Sequence, residues 1–206
     1  MNSIDTLERI FGSVAKVKIM RLFLFNPNTS FDSKDVKGRV NTNSQAVRRE
    51  MALLEKIGMV KKKHYTKTAA LRNGKVTKHK VQGWILNRRF KYLKPLQSFL
   101  VDMHLFTPED VTERFKKVGK IKLLLVSGVF IQEWESRVDI LIVGDKLKTG
   151  VLKNVMKNLE SEVGKELTYA SFETDDFLYR VQMFDKLVRD VLDFPHEKIV
   201  DKFNIS

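Results

Sequence analysis

Between Asn43 and Asn87 the spacing of apolar residues changes from a helical period to a strand period, and this change constrains the fold more than any other feature of the chain. In "SQAVRREMALLEKIG", Val47, Met51, Leu54 and Ile57 recur at i, i+4, i+7 and i+10, which predicts one buried helical stripe. Asn43 stands where an N-cap belongs and Gly58 where the helix should stop. The next stretches, "MVKKKHYTKT" and "GKVTKHKVQGWILN", are β-prone, and "AALRNGK" between them holds the turn pair Asn73-Gly74. A helix leading straight into a β-hairpin is therefore expected.

Two helices are expected ahead of it. Ser13 to Phe25 reads as the first, with Val14, Val17, Met20, Leu22, Phe23 and Leu24 forming a broad apolar face. "NPNTS" breaks it at Pro27, and "SKDVKGRV" supports a short second helix ending near Gly38.

Charge says what this half of the chain meets. Residues 1–118 hold 25 Lys and Arg against 10 Asp and Glu, whereas residues 119–206 hold 13 against 15. Within residues 56–101 there are 13 basic side chains and no acidic one. A solvated helix face mixes signs, so an unbroken run of this kind points to a polyanion, and double-stranded DNA is the expected partner. The stripe of the third helix leaves Ser44, Gln45, Arg48, Arg49 and Ala52 on its exposed side, a polar and basic row suited to base edges in a major groove. Lys61, Lys62, Lys63, Lys67, Arg72, Lys75, Lys78 and Lys80 lie in or beside the hairpin and are expected to grip phosphate, which gives affinity and register but reads no sequence. With about six phosphates neutralised, log K should fall with log salt at a slope of roughly −5.

The stretch "SVAKVKIMRLFLFNPNTSFDSKDVKGRVNTNSQAVRREMALLEKIGMVKKK" resembles the winged helix-turn-helix of small bacterial and archaeal transcriptional regulators, and "AVRREMALLEKIGMV" is similar to that family's recognition helix and first wing strand. The resemblance covers residues 1 to about 88 and implies a DNA-binding domain over 1–90. A helical connector over 91–118 follows. Leu93, Leu96, Leu100 and Met103 form a stripe that either packs on the chain's own domains or makes a homodimer seam. Thr107 with Pro108, Glu109 and Asp110 then opens another helix.

From Lys120 the order is strand, turn, strand, helix, strand and one or two helices, with "HEKIV" as an edge strand. "LLLVSGVF" and "SRVDILIVGD" resemble the minimal nucleotidyltransferase domain, so residues 119–206 are expected to form a small mixed α/β layer and the whole chain an α+β protein. In that family a Gly-Ser loop holds nucleotide phosphates, and the next strand carries carboxylates at i and i+2 that share one face and bind Mg²⁺. Here Gly128 matches the glycine, but Val129 stands at the serine position, Arg137 at the first carboxylate and only Asp139 at the second. On the later strand "ELTYASF" the inward candidates are Thr168, Ala170 or Leu167, none of them acidic. The resemblance thus implies a domain that has lost its chemistry, with an Arg137–Asp139 ion pair on a retained scaffold, or with Arg137 binding an acidic ligand in a sensor. Glu133 or Glu135 supplying the missing acid is the remaining route to a live enzyme.

Other classes of chemistry find little support. The chain has no cysteine, and His64, His79, His104 and His196 lack metal-ligand spacing, although His64 and His79 are expected to face each other across the hairpin. Trp84 and Trp134 read as packing residues. No phosphate loop, dinucleotide fingerprint or secretory leader is evident, so no cofactor or metal and a cytoplasmic location are expected. The leading expectation is a non-enzymatic transcriptional regulator. An active Mg²⁺-dependent nucleotidyltransferase and an antitoxin-like repressor holding a protein partner are its alternatives.

Overall fold

The structure is a computed structural model that describes residues 3–70, 76–101 and 106–204. It is a mixed α and β protein with two small sheets and, among the described residues, nine α-helices. Two compact units divide the chain: one holds Ile4–Met103 with Glu160–Lys165, the other Met1–Ser3, His104–Leu159 and Glu166–Ser206. None of its helices, among the described residues, is long and apolar enough to cross a membrane.

The first unit begins with α1 (Ser3–Phe11), which the periodicity reading left out, and α2 (Val14–Phe25). Ser13 caps α2, and eight of its residues from Ala15 to Leu24 are buried, so the helix is enclosed nearly all round. Arg21 is one of them. Its guanidinium donates to the carbonyls of Leu100 at 3.0 Å and Glu162 at 3.1 Å. Burial lowers its pKa to about 10 against the opposing field of Glu162, so it stays charged at neutral pH. Helices α3 (Ser33–Val40) and α4 (Ser44–Lys56) follow. Asp32 closes α3 with a capping box to Asp35, and Asn43 Oδ1 accepts the Ala46 N–H at 2.8 Å to cap α4. Gly58, at φ +79°, ends α4 as the expected left-handed stop.

Strands β1 (Val60–Ala70) and β2 (Val76–Leu86) pair antiparallel, with Val60 opposite Leu86 and Ala70 opposite Val76. The Asn73-Gly74 turn expected between them lies outside the described residues. Phe31, between α2 and α3, adds a third rung, exchanging 2.9 Å backbone hydrogen bonds with Trp84 in both directions. Gly83 permits this approach, because a Cβ there would stand 2.4 Å from the Phe31 carbonyl oxygen. Val36, Val47, Met51, Leu54, Phe23 and Leu86 share one core with α2. Helix α5 (Leu93–Leu100) starts where expected, and Leu93, Leu96 and Leu100 pack on that same core. This is the own-domain alternative for the leucine stripe; its Met103 lies outside the described residues. Because α5 belongs to the first unit and α6 (Pro108–Phe115) to the second, the expected separate connector is divided between them.

The second unit contains β3 (Lys120–Val126), a short 3-10 turn (Gly128–Phe130), β4 (Ile140–Asp145), α7 (Thr149–Val163) up to Leu159, β5 (Tyr169–Glu173), α8 (Thr174–Gln182), α9 (Lys186–Asp193) and β6 (Glu197–Asp201). Strand order is β5-β4-β3-β6. The β4–β5 pair is parallel, as a helical crossover allows, and β3 pairs antiparallel with both β4 and β6. On one face Leu123, Leu125, Leu141 and Val143 pack with Phe177 of α8 and Val188 and Val191 of α9. On the other, Leu124, Ile140 and Ile142 are equally buried. This two-sided burial explains why β3 and β4 read as unbroken apolar runs.

Candidate functional site

Helix α4 turns Val47, Met51 and Leu54 into the core and leaves Ser44, Gln45, Arg48 and Arg49 exposed. Two details differ from the expected stripe. Ile57 is half exposed, because it lies at the C-cap where the helix unwinds, and Glu50 is buried in its stead. Glu50 captures its neighbour: Arg49 donates to Glu50 Oε1 through Nε at 2.9 Å and a terminal nitrogen at 2.7 Å, with Lys16 3.8 Å from the other oxygen. A buried carboxylate needs such partners. Arg49 is therefore committed within the fold, whereas Arg48 makes no ion pair among the described residues.

The hairpin separates its lysines in the same way. Residues opposite in an antiparallel pair share a face, so Lys61, Lys63 and Lys67 lie on one side, opposite Ile85, Gly83 and His79. Lys62, Lys80 and Lys78 lie on the other, opposite Trp84, Thr66 and Thr68. This register also corrects the expected histidine pair: His64 faces Gln82 and His79 faces Lys67. Lys67 reaches Asp35 at 2.5 Å and Asp32 at 2.9 Å, and Tyr65 donates to Asp35 at 3.2 Å. The hydrogen bond to Asp35 leads, against burial and with Asp32 adding, in holding the ammonium pKa well above the ordinary lysine value. Lys67 thus ties the hairpin to the α3 cap. Lys62 joins Trp84 Nε1 on Glu55, at 3.1 Å and 2.9 Å, and that indole bond leads in lowering the Glu55 pKa. Lys61, Lys63, Lys78 and Lys80 are exposed with no ion pair among the described residues, while Arg72 and Lys75 lie outside those residues.

A hollow of about 630 Å³ opens between the start of α3 and the hairpin, lined by Lys34, Lys67, His79 and Gln82 among others. Lys34 was missed as a site residue, because a lysine in "SKDVKGRV" carries no local sign of facing a hairpin beyond residue 60.

The end of β3 is built differently. Asp139 is only 6% exposed and sits just before β4. Its Oδ1 accepts the Val129 N–H at 2.9 Å and its Oδ2 the Thr168 N–H at 2.8 Å. Its own backbone adds bonds from Ser127 N–H and to the Thr168 carbonyl, so one residue fastens three chain segments. Gly128, at φ +56°, fits only as glycine: a Cβ would stand 2.2 Å from Asp139 Oδ1. Ser136 Oγ accepts the Gly128 N–H at 3.1 Å, and Ser127 Oγ donates to the Val138 carbonyl. The expected Arg137–Asp139 ion pair is absent. Arg137 is exposed and binds Asp190 of α9 at 2.9 Å, because residues 137 and 139 precede the strand and do not share its face. Glu133 and Glu135 are exposed on the intervening loop. Among the described residues no three His, Asp or Glu side chains gather closely enough to hold a metal ion.

No family model, curated protein or solved structure matches this chain.

Proposed function

We propose that the protein is a DNA-binding transcriptional regulator, in which the first unit reads duplex DNA as a winged helix and the second is a nucleotidyltransferase-like scaffold without transferase chemistry. The observation that carries this reading is the pairing of an exposed Ser44–Gln45–Arg48 row on α4 with a hairpin whose Lys61, Lys63, Lys78 and Lys80 remain available. In this reading α4 enters the major groove and the lysines contact phosphates on either side. The order helix, single rung at Phe31, helix, helix and hairpin supports it, since the rung fixes the hairpin beside α3 and α4.

The second unit contributes no catalytic residue in this account. Both oxygens of Asp139 already accept backbone N–H groups, and Arg137 is engaged by Asp190. Its carboxylate is assigned the structural task of closing the end of the sheet. Acidic substitution, Gln45→Glu with Arg48→Glu, tests the DNA reading: specific binding to a genomic target should be abolished in a mobility-shift titration, and unchanged binding would remove α4 from the interface. Mg²⁺-dependent label transfer from a nucleoside triphosphate that is lost in Asp139→Ala would overturn the scaffold assignment.

A further inference from the structure

The second unit has a cavity at the end of β3 opposite to Gly128 and Asp139, roughly 20 Å along the strand. Its volume is about 420 Å³, within the ordinary range for a small-molecule site. Four lysines line it: Lys116 after α6, Lys120 and Lys122 on β3, and Lys202 just past β6. Its apolar wall is offered by the half-buried Ile121 and Val200, backed by the buried Phe115 and Leu124. No carboxylate belongs to the lining. Lys116 is tied to Glu113 and Lys122 stands 3.9 Å from Asp145, whereas Lys120 and Lys202 make no ion pair among the described residues.

The strand geometry gathers these charges. Pairing of β3 with β4 slips between Ile121 and Leu123, so Lys122 drops out of the ladder as a bulge, a device that re-aims side chains. The Lys202 N–H donates to the Lys122 carbonyl at 2.8 Å and fixes the two lysines beside each other. Gly144 lets β3 pass closely at this point, since a Cβ there would lie 2.5 Å from the Lys120 carbonyl oxygen. Like charges held around one concave, low-dielectric wall repel one another and concentrate positive potential. A bound anion relieves that repulsion.

We propose that this cavity binds an amphiphilic organic anion, a phosphate or carboxylate carried on a compact apolar body. The anionic head would meet Lys120 and Lys202, and the body would cover the accessible apolar surface of Ile121 and Val200. The proposal goes beyond the DNA-binding reading and does not depend on it, because its test contains no DNA.

The experiment is a calorimetric titration of the full chain with naphthyl phosphate. Saturable binding of one molecule per chain is expected, with naphthol and inorganic phosphate each binding far more weakly. Lys120→Glu with Lys202→Glu should weaken binding by about tenfold or more, the loss of a charge-assisted contact. Lys61→Glu with Lys63→Glu should leave it unchanged. Lys120→Gln with Lys202→Gln, checked for an unaltered melting curve, separates lost contacts from lost folding and should also weaken binding. Absence of saturable binding, equal affinity for naphthol, or equal losses in the hairpin and cavity variants would overturn the assignment.

Discussion

The exposed face of α4 and the closed end of β3 each carry a charged side chain, in opposite states of engagement. On α4, Arg48 faces solvent with no ion pair among the described residues, while in the second unit the Asp139 carboxylate has both oxygens engaged by backbone N–H groups. The same division recurs inside the first unit. Arg49 is bound to Glu50 and Lys67 to Asp32 and Asp35, whereas Arg48 and Lys63 are uncommitted among the described residues. A charged residue becomes a candidate for binding only when the fold has not already used it. That criterion divides residues that sequence alone groups together.

The largest test of this contrast is Asp139→Ala. It strips two backbone donors of their acceptor and should destabilise the second unit by roughly 3 kcal/mol in chemical denaturation, as expected for a buried charged acceptor. If stability is unchanged, Asp139 is not the fastener described here. Next comes Gly128→Ala, which combines a left-handed backbone with a collision on Asp139 and should cost about 2 kcal/mol. Combined with Asp139→Ala, it should cost less than the two single losses together, because the added methyl fills space the carboxylate vacates. Strict additivity would show that the two residues do not meet.

A smaller effect compares two hairpin lysines on one face. Lys63→Ala should reduce the salt slope of DNA binding by about 0.9, the share of one phosphate contact, while leaving stability alone. Lys67→Ala should hardly change the slope but loosen the α3 cap by up to about 1 kcal/mol. Reversal of these two outcomes would undo the division between free and committed lysines. The smallest effect is in acid. Burial of Asp32 raises its pKa, but the Asp35 N–H and Lys67 outweigh that and hold it below the ordinary aspartate value. A depressed carboxylate stabilises the fold above its unfolded pKa, near 3.9, and loses that contribution as pH falls through the lower folded value. Lys67→Ala should therefore flatten the acid limb of the stability curve.

Local signals in the sequence carried much of the fold. Asn43, Gly58, Thr107 and Pro108 mark helix ends through interactions within a few residues, and each acts as expected. The apolar runs of β3 and β4 identify buried strands, although β4 starts later than its apolar residues suggest because Val138 and Asp139 fasten the preceding loop. What could not be read depends on distant partners. Nothing near Lys67 in the chain announces Asp32 and Asp35, and nothing near Arg137 announces Asp190. The hairpin register, which separates His64 from His79 and divides the lysines between two faces, is fixed by the pairing of Val60 with Leu86, a tertiary choice. Helix α1 was missed because its apolar residues, Ile4, Leu7, Ile10 and Phe11, lie in a segment of only 9 residues that Gly12 cuts off from the longer apolar run of α2.

The central claim is that α4 reads DNA sequence while the free hairpin lysines supply salt-sensitive grip. Its most direct measurement is selection of bound fragments from a genomic DNA pool, performed at two salt concentrations with the natural chain and with Arg48→Glu. The account predicts one sharp motif for the natural chain at both salt levels, with recovery falling as salt rises, and loss of the motif in Arg48→Glu with residual unspecific binding. A featureless pool from the natural chain, or an unchanged motif in Arg48→Glu, would contradict it.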